Sequence, residues 1–379
     1  MPPVALPSAE PVSAPPLVAA ALAASAPRVA APAPAPAPAA SAPRDDGRIE
    51  VCGHGRVHPH ELARLLPDEV HFETQGRLIA ALLRGSERDP VVGLLLGIWL
   101  EADIAQSGPM RACGENVDCM IGLAPFRHAP PRQAVEALVQ TALASSDPWT
   151  YATVASYACR YNTANACAAL TPEGWQQRAP DDAAPWLWAA FLAQQRKDEA
   201  AVHAALDQAS RRSRLSDPWG AILGPLMALP EMRALPPTAR MQALIGPIGV
   251  MASLPGHVSV AGRHCSKLAL QAQDRRERCE ALAQLFVEQA PTMMYLGVGK
   301  GMGENLGWAP ERIRLVGADI HGLQQTQLGS AALTPTGLFS CQGIADFERL
   351  FAEQGALGEV GALRKLRAAR AAASAVPSK

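Results

Sequence analysis

The chain has 379 residues and a formal net charge of −1, with 34 basic against 35 acidic side chains. Such a balance gives no global field that would attract nucleic acid, so we expect no nucleic-acid partner. Thr, Val and Ile are sparse compared with Ala and Leu, which predicts an almost entirely helical protein.

The N-terminal segment, residues 1–47, is dominated by Ala and Pro and includes an alternating Ala-Pro run from Ala31 to Pro38. This composition predicts a disordered linker. Within it, the apolar stretch from Leu17 to Ala26 resembles the core of a signal peptide but has no basic residue before it. Either a signal or an anchor lies upstream, or the stretch is linker; we expect membrane attachment only through such an anchor.

We divide the remaining chain into three helical subdomains: residues 48–130, 131–230 and 231–374. The first contains the best strand candidate, at Ile49 to Val51, and two Leu-rich helices, at 75–83 and 91–104. The breaker before the second helix ends in Pro90, which suits the first turn of a helix.

Tryptophans recur at the start of predicted helices in the middle subdomain. Trp149 and Trp219 each follow Ser-Asp-Pro, and Trp186 follows Ala-Pro. The period is about 35 residues, which is typical of helical-hairpin repeats. Asp147 and Asp217 are the predicted N-caps of two of these helices. In the middle copy, the helix that begins near Trp186 is predicted to end near Arg196, before a partner helix at 199–212.

Residues 147–212 resemble tetratricopeptide-like repeats, and the spacing of Cys159 and Cys167 resembles that of the cysteine-rich Sel-like repeat proteins of bacteria. This resemblance implies stacked antiparallel helical hairpins, with the two cysteines bonded between helices. We therefore predict an all-α fold, an irregular array of disulfide-stapled hairpins.

The eight cysteines are even in number, and parity and spacing favour disulfides over buried free thiols. Local pairing would join Cys113 to Cys119, Cys159 to Cys167 and Cys265 to Cys279, leaving Cys52 and Cys341 to close the two ends. Disulfides suit an oxidising compartment, so we predict a periplasmic or cell-envelope location, with the cytoplasm as the alternative.

Three motifs invite a chemical interpretation, and for each we favour a structural one. The glycine-rich run from Gly297 to Gly303 fits neither a P-loop nor a dinucleotide fingerprint, which predicts a turn or a glycine-softened helix. The set Cys52, His54, His58 and His60 has ligand types suited to zinc but matches no closed zinc motif. We expect no metal and no cofactor. His257, and His264 beside Cys265, suggest a thiol and its base but lack a visible orienting group.

The tryptophans allow two interpretations. Trp149, Trp186, Trp188 and Trp219 could line a groove that recognises a ligand, although core packing between repeats is favoured. We expect a non-enzymatic helical-repeat protein that binds a protein or peptide through the concave face of its hairpins. The alternative is a hydrolase-type periplasmic enzyme without a recognisable catalytic motif; a cavity with converging titratable residues would favour it.

Overall fold

The computed structural model describes residues 47–65, 67–113, 132–159, 165–218, 220, 222–251, 257–271, 274–328 and 337–374. All but the last residue of the predicted linker, 1–47, lies outside these ranges. Within them the protein is all-α apart from one β-hairpin, and its helices pack as antiparallel pairs. The predicted fold class is therefore confirmed.

The strand expected near the N-terminus is present and pairs with a second strand that we did not predict. The antiparallel strands β1 (Ile49–Val51) and β2 (Gly55–Val57) form the hairpin. In the turn of this hairpin, Gly53 has a φ of +83°, a left-handed conformation that glycine adopts without a steric penalty. The helices that follow are α1 (Leu62–Leu65), α2 (Asp68–Leu83) and α3 (Asp89–Cys113), of which α2 and α3 pack together.

The middle of the chain forms short helices around the predicted hairpin. The elements in order are α4 (Arg132–Ala144), α5 (Pro148–Thr153), a π-helical turn (Val154–Ala158), a 3-10 helix (Asn165–Ala169), α6 (Pro172–Arg178), α7 (Ala184–Gln195) and α8 (Glu199–Ser210). Helices α7 and α8 form the predicted hairpin, which turns at Lys197, and the Asp198 side chain caps α8 by accepting a hydrogen bond from Ala201 N at 3.0 Å.

The C-terminal part contains the longest described helix. The elements are α9 (Leu223–Ala228), α10 (Pro230–Arg233), α11 (Pro237–Met251), α12 (Val258–His264), a 3-10 turn (Ala269–Gln271), α13 (Asp274–Glu288), α14 (Met293–Leu306), α15 (Pro310–Leu328) and α16 (Cys341–Ser374). Helix α13 packs on α14, and α15 packs on α16, which is kinked at Gly358, where φ is +68°.

Apolar side chains at helical spacing form the core. In α4 the predicted stripe of Val135, Leu138, Val139 and Ala142 is completely buried, as expected when residues three and four apart share one helix face. Residues from Gly47 onward belong to one compact unit. The subdivision into three helical subdomains stays a prediction.

One predicted helix start is wrong. Asp147 does cap α5, accepting hydrogen bonds from Trp149 N and Thr150 N. Asp217 and Pro218, in the second copy of the motif, begin no helix; the next one starts at Leu223. The backbone of Gly220 has a φ of +78°, which is incompatible with a right-handed helix running on from Pro218.

Three disulfides join described residues: Cys52–Cys341, Cys159–Cys167 and Cys265–Cys279. They are pairings expected from the sequence. Cys113 is also disulfide-bonded, whereas Cys119 lies outside the described residues. Disulfides of this number indicate a protein of an oxidising compartment. No helix in the described ranges has both the length and the apolar character needed to cross a membrane.

Candidate functional site: an aromatic cavity

An open cavity of about 650 Å³ lies between the π-helical turn, the start of α6 and one face of α7. Small-molecule sites typically have this size, with apolar walls and a few polar groups. We call it the aromatic cavity. The lining residues that matter below are Tyr157, Glu173, Trp175, Trp188, Phe191, Asp217 and His257.

The sequence around α6 positions the inner wall. The Thr171 side chain accepts a hydrogen bond from Gly174 N at 3.2 Å and so caps α6, with Pro172 at the first helical position. One turn later Trp175 is buried, 1% exposed, with its ring centroid 6.1 Å from that of Trp188. The Tyr151 hydroxyl hydrogen-bonds both the N–H and the C=O of Thr171, at 2.8 and 3.0 Å, which fixes this start further.

Helix α7 provides the opposite wall. Trp188 and Phe191 are three residues apart and therefore lie on the same helix face; both are half-buried. The Asp182 carboxylate accepts hydrogen bonds from Ala184 N at 2.9 Å and from Ser216 N at 3.1 Å. One side chain thus caps the start of α7 and holds the segment that carries Asp217 beside it.

A polar cluster of the half-buried Asp217 and the buried His257 and Tyr295 adjoins this aromatic wall. His257 Nε2 lies 2.9 Å from the Tyr295 hydroxyl. Burial raises the pKa of Tyr295 well above its usual value, and the charge and hydrogen bond of Asp217 raise it further. Because a tyrosine hydroxyl has one proton, donation to the carboxylate leaves its oxygen to accept from His257 Nε2–H. His257 and Asp217 line the cavity, and Tyr295 connects them from behind.

The predicted tryptophan groove is not assembled as one surface. Trp188 lines the aromatic cavity, whereas Trp149 lines a second cavity and carries the Arg88 guanidinium 4.8 Å above its ring. Trp186 lines neither of these two cavities and stacks on Arg212 at 5.2 Å. Trp219 lies outside the described residues. Trp149, Trp186 and Trp188 are each half-buried against the core, as the packing interpretation expects.

The second cavity, of about 580 Å³, shares Asp217 and Pro218 with the first and is more polar. Its arginines are largely engaged within the protein. Arg88 pairs with Asp147 at 2.9 Å, and Arg178 donates to three backbone carbonyl groups. These bonds within the protein account for the positions of Arg88 and Arg178 without a ligand.

The motifs that suggested chemistry have structural roles. Cys52 is bonded to Cys341, so its sulfur is not a thiolate that could bind zinc, and no metal-binding cluster is found among the described residues. His54 is exposed, while the rings of His58 and His60 stack 5.4 Å apart. The run from Gly297 to Gly303 lies inside helix α14. Of the two alternatives predicted for it, a turn or a glycine-softened helix, the helix is therefore the one observed.

The pair of a thiol and its base suggested at residues 264–265 is not formed, because Cys265 has no free thiol. Cys265 is bonded to Cys279 and completely buried. His264 is buried against His203, with ring centroids 4.7 Å apart, and its Nε2 lies 3.4 Å from Arg278. These contacts place His264 in the packing between α8, α12 and α13, whereas His257 faces the aromatic cavity.

Trp175 and Tyr295 are site residues that we did not identify from the sequence. For Trp175 a signal exists: Thr171-Pro172 is a cap and proline like Asp147-Pro148, and an aromatic residue follows three positions after the proline. Tyr295 has no comparable local signal, because its hydrogen bond reaches His257 across 38 residues of chain.

Comparison with protein-family models, with curated proteins and with solved structures finds no match for this chain. The fold and the cavity themselves define an all-α, disulfide-stapled protein with an aromatic cavity.

Proposed function

We propose that this protein binds a peptide segment by inserting an apolar side chain of the peptide into the aromatic cavity. The helical hairpins serve as a tetratricopeptide-like scaffold for that cavity, and the protein works in the periplasm or cell envelope. The observation that carries the proposal is the half-buried pair Trp188 and Phe191, whose rings face a 650 Å³ opening. Aromatic anchors in concave sites dominate peptide and protein recognition.

The rim adds polar groups that suit a peptide backbone. Glu173, Gln195 and Arg196 line the cavity and are exposed. Together they offer both hydrogen-bond donors and hydrogen-bond acceptors. An apolar pocket with a few convergent polar groups can therefore bind a side chain and orient the chain that carries it.

Blocked pentapeptides test the proposal: acetyl-Ala-Ala-Phe-Ala-Ala-amide and the same peptide with Ala at the centre, titrated calorimetrically into the full chain. We expect the Phe peptide to bind more tightly. The variant Trp188→Ala should weaken it by at least about tenfold, as hot-spot aromatics do. Trp186→Ala is the matched control on the same helix and should leave the affinity unchanged. Equal affinity for the two peptides would contradict the proposal.

A hydrolase remains the second candidate because titratable groups converge on the same cavity. His257 is linked to Tyr295 at 2.9 Å and, through it, to Asp217. A general base needs a nucleophile or water within hydrogen-bond reach, and the Thr171 hydroxyl is engaged in capping α6. Mass spectrometry of the pentapeptides after incubation decides: products that disappear in His257→Ala would establish an enzyme, and intact peptides would favour binding.

A further inference from the structure

The wall of the aromatic cavity contains a disulfide. Cys159 and Cys167 both line the cavity and are half-buried. Cys265 and Cys279, by contrast, are completely buried, and the Cys52–Cys341 bond lines neither described cavity. Thiol–disulfide exchange requires access of a thiolate to a sulfur. Among these three bonds, Cys159–Cys167 is therefore the one at which thiol–disulfide exchange would change the wall of the cavity.

This bond joins two short, irregular elements that both contribute to the wall. Cys159 ends the π-helical turn, donating its N–H to Val154 O at 3.1 Å. Cys167 lies in the 3-10 helix that precedes Leu170. Elements of five residues have little stability of their own, so their mutual position depends on the cross-link and on packing. Tyr157 and Leu170, on either side of the bond, line the cavity.

We propose that the Cys159–Cys167 disulfide is a redox switch that controls ligand binding at the aromatic cavity; this inference rests on the function proposed above. The reductant is a dithiol protein. Its thiolate attacks one cysteine sulfur, which forms a mixed disulfide with that cysteine and releases the other as a thiolate; its second thiol then displaces the first cysteine from the mixed disulfide. The S–S bond breaks, Cys159 and Cys167 gain two electrons and two protons, and the dithiol becomes a disulfide.

The oxidised form binds the ligand and the reduced form releases it, because reduction frees the two wall elements from each other. Linkage makes this coupling reciprocal. A ligand that prefers the oxidised form must disfavour reduction of Cys159–Cys167 by the same factor. The two other described disulfides do not line the cavity and should show no such protection.

The test uses the full chain, dithiothreitol as the dithiol and the blocked Phe pentapeptide as the probe. Alkylation followed by peptide mass spectrometry should label Cys159 and Cys167 before the completely buried Cys265 and Cys279. Reduction of the Cys159–Cys167 bond should weaken peptide binding by at least about fivefold, the lower range of allosteric couplings. Saturating peptide should protect the bond to the same extent. Earlier labelling of Cys265 and Cys279, or unchanged affinity after reduction, would overturn the proposal.

Variants separate this switch from general unfolding. Cys159→Ser with Cys167→Ser should bind as weakly as the reduced protein, respond no further to dithiothreitol and keep its helical circular dichroism. The matched control, Cys52→Ser with Cys341→Ser, should keep both tight binding and its loss on reduction. Wild-type affinity in the first variant would overturn the switch.

A readout that needs no peptide distinguishes the two proposals. Acrylamide quenching of the Trp188 fluorescence, obtained as the difference between the wild type and Trp188→Phe, should rise on reduction. If quenching rises but no peptide binds, the redox control of the cavity stands and the peptide-binding function fails. If the peptide binds equally to both redox forms, the function stands and the switch fails.

Discussion

His257 Nε2 lies 2.9 Å from the Tyr295 hydroxyl, joining the start of α12 to α14 beneath the aromatic cavity. Tyr295→Phe removes the hydroxyl and leaves the buried imidazole nitrogen without this partner. We expect a loss of about 1 to 3 kcal/mol in the free energy of unfolding, the usual penalty for an unsatisfied buried polar group. Urea denaturation followed by circular dichroism measures it. An unchanged midpoint and slope would show that the pair contributes nothing to stability.

Two glycines in α14 should respond oppositely to alanine. A Cβ at Gly303 would overlap the rigid ring of Trp308, whereas a Cβ at Gly301 meets nothing within 4 Å. We expect Gly303→Ala to cost about 1 to 3 kcal/mol through overpacking. Gly301→Ala should stabilise by about 0.5 to 1 kcal/mol through helix propensity. Thermal unfolding of the two variants in parallel checks the signs, and two shifts in the same direction would contradict the packing.

The Asp147 carboxylate should contribute a pH-dependent part of the stability. Burial alone would raise its pKa, but the Arg88 and Thr150 hydrogen bonds lower it below the usual 3.8. A lowered folded-state pKa gives stability that is present above the unfolded-state pKa and is lost as the pH falls through the folded-state pKa. Asp147→Asn keeps a capping side chain but removes this charge, so its midpoint should vary less below pH 4 than that of the wild type. If the midpoints of Asp147→Asn and the wild type fell in parallel below pH 4, this prediction would be wrong.

Glu359 caps α14 from a distant helix, and its ionisation opposes folding. Its Oε2 accepts the N–H of Met293 at 2.8 Å, yet burial raises the pKa of Glu359 above 4.5. A raised carboxyl pKa means that stability from this group declines as the pH rises through the folded-state pKa. Glu359→Gln keeps an acceptor without the charge and should be at least as stable as the wild type at pH 7.

The control for this position is Glu359→Ala, which removes the acceptor altogether. Loss of a helix cap typically costs about 1 kcal/mol, so the alanine variant should unfold at lower urea than both the wild type and the glutamine variant. A glutamine variant as unstable as the alanine variant would contradict the assigned role of burial.

Local patterns predicted much of the fold. Val135 and Leu138 mark the buried face of α4, and Asp147 caps α5, because periodicity and capping depend on neighbours in sequence. The failure at Asp217 has a tertiary cause. Its motif matches that of Asp147, but Ser216 N donates to Asp182, and this bond holds the segment against the start of α7.

The candidate site was less accessible to sequence reasoning. Trp188 was identified as a candidate, but its grouping with Trp149 and Trp186 assumed a regular repeat in which all three share a surface. The cavity instead depends on where a π-helical turn and the non-helical segment around Asp217 place their side chains. Contacts such as Tyr295 with His257 join distant elements, and no local pattern specifies them.

Photo-crosslinking tests the central claim, that the aromatic cavity binds a peptide, most directly. The probe is the blocked pentapeptide with benzoylphenylalanine at its centre, cross-linked to the oxidised full chain and located by peptide mass spectrometry. The account predicts adducts on cavity residues such as Trp188, Phe191 and Tyr157, with the unlabelled Phe peptide competing. Adducts concentrated around Trp149 and Arg214 in the second cavity, or scattered adducts that do not respond to competition, would contradict it.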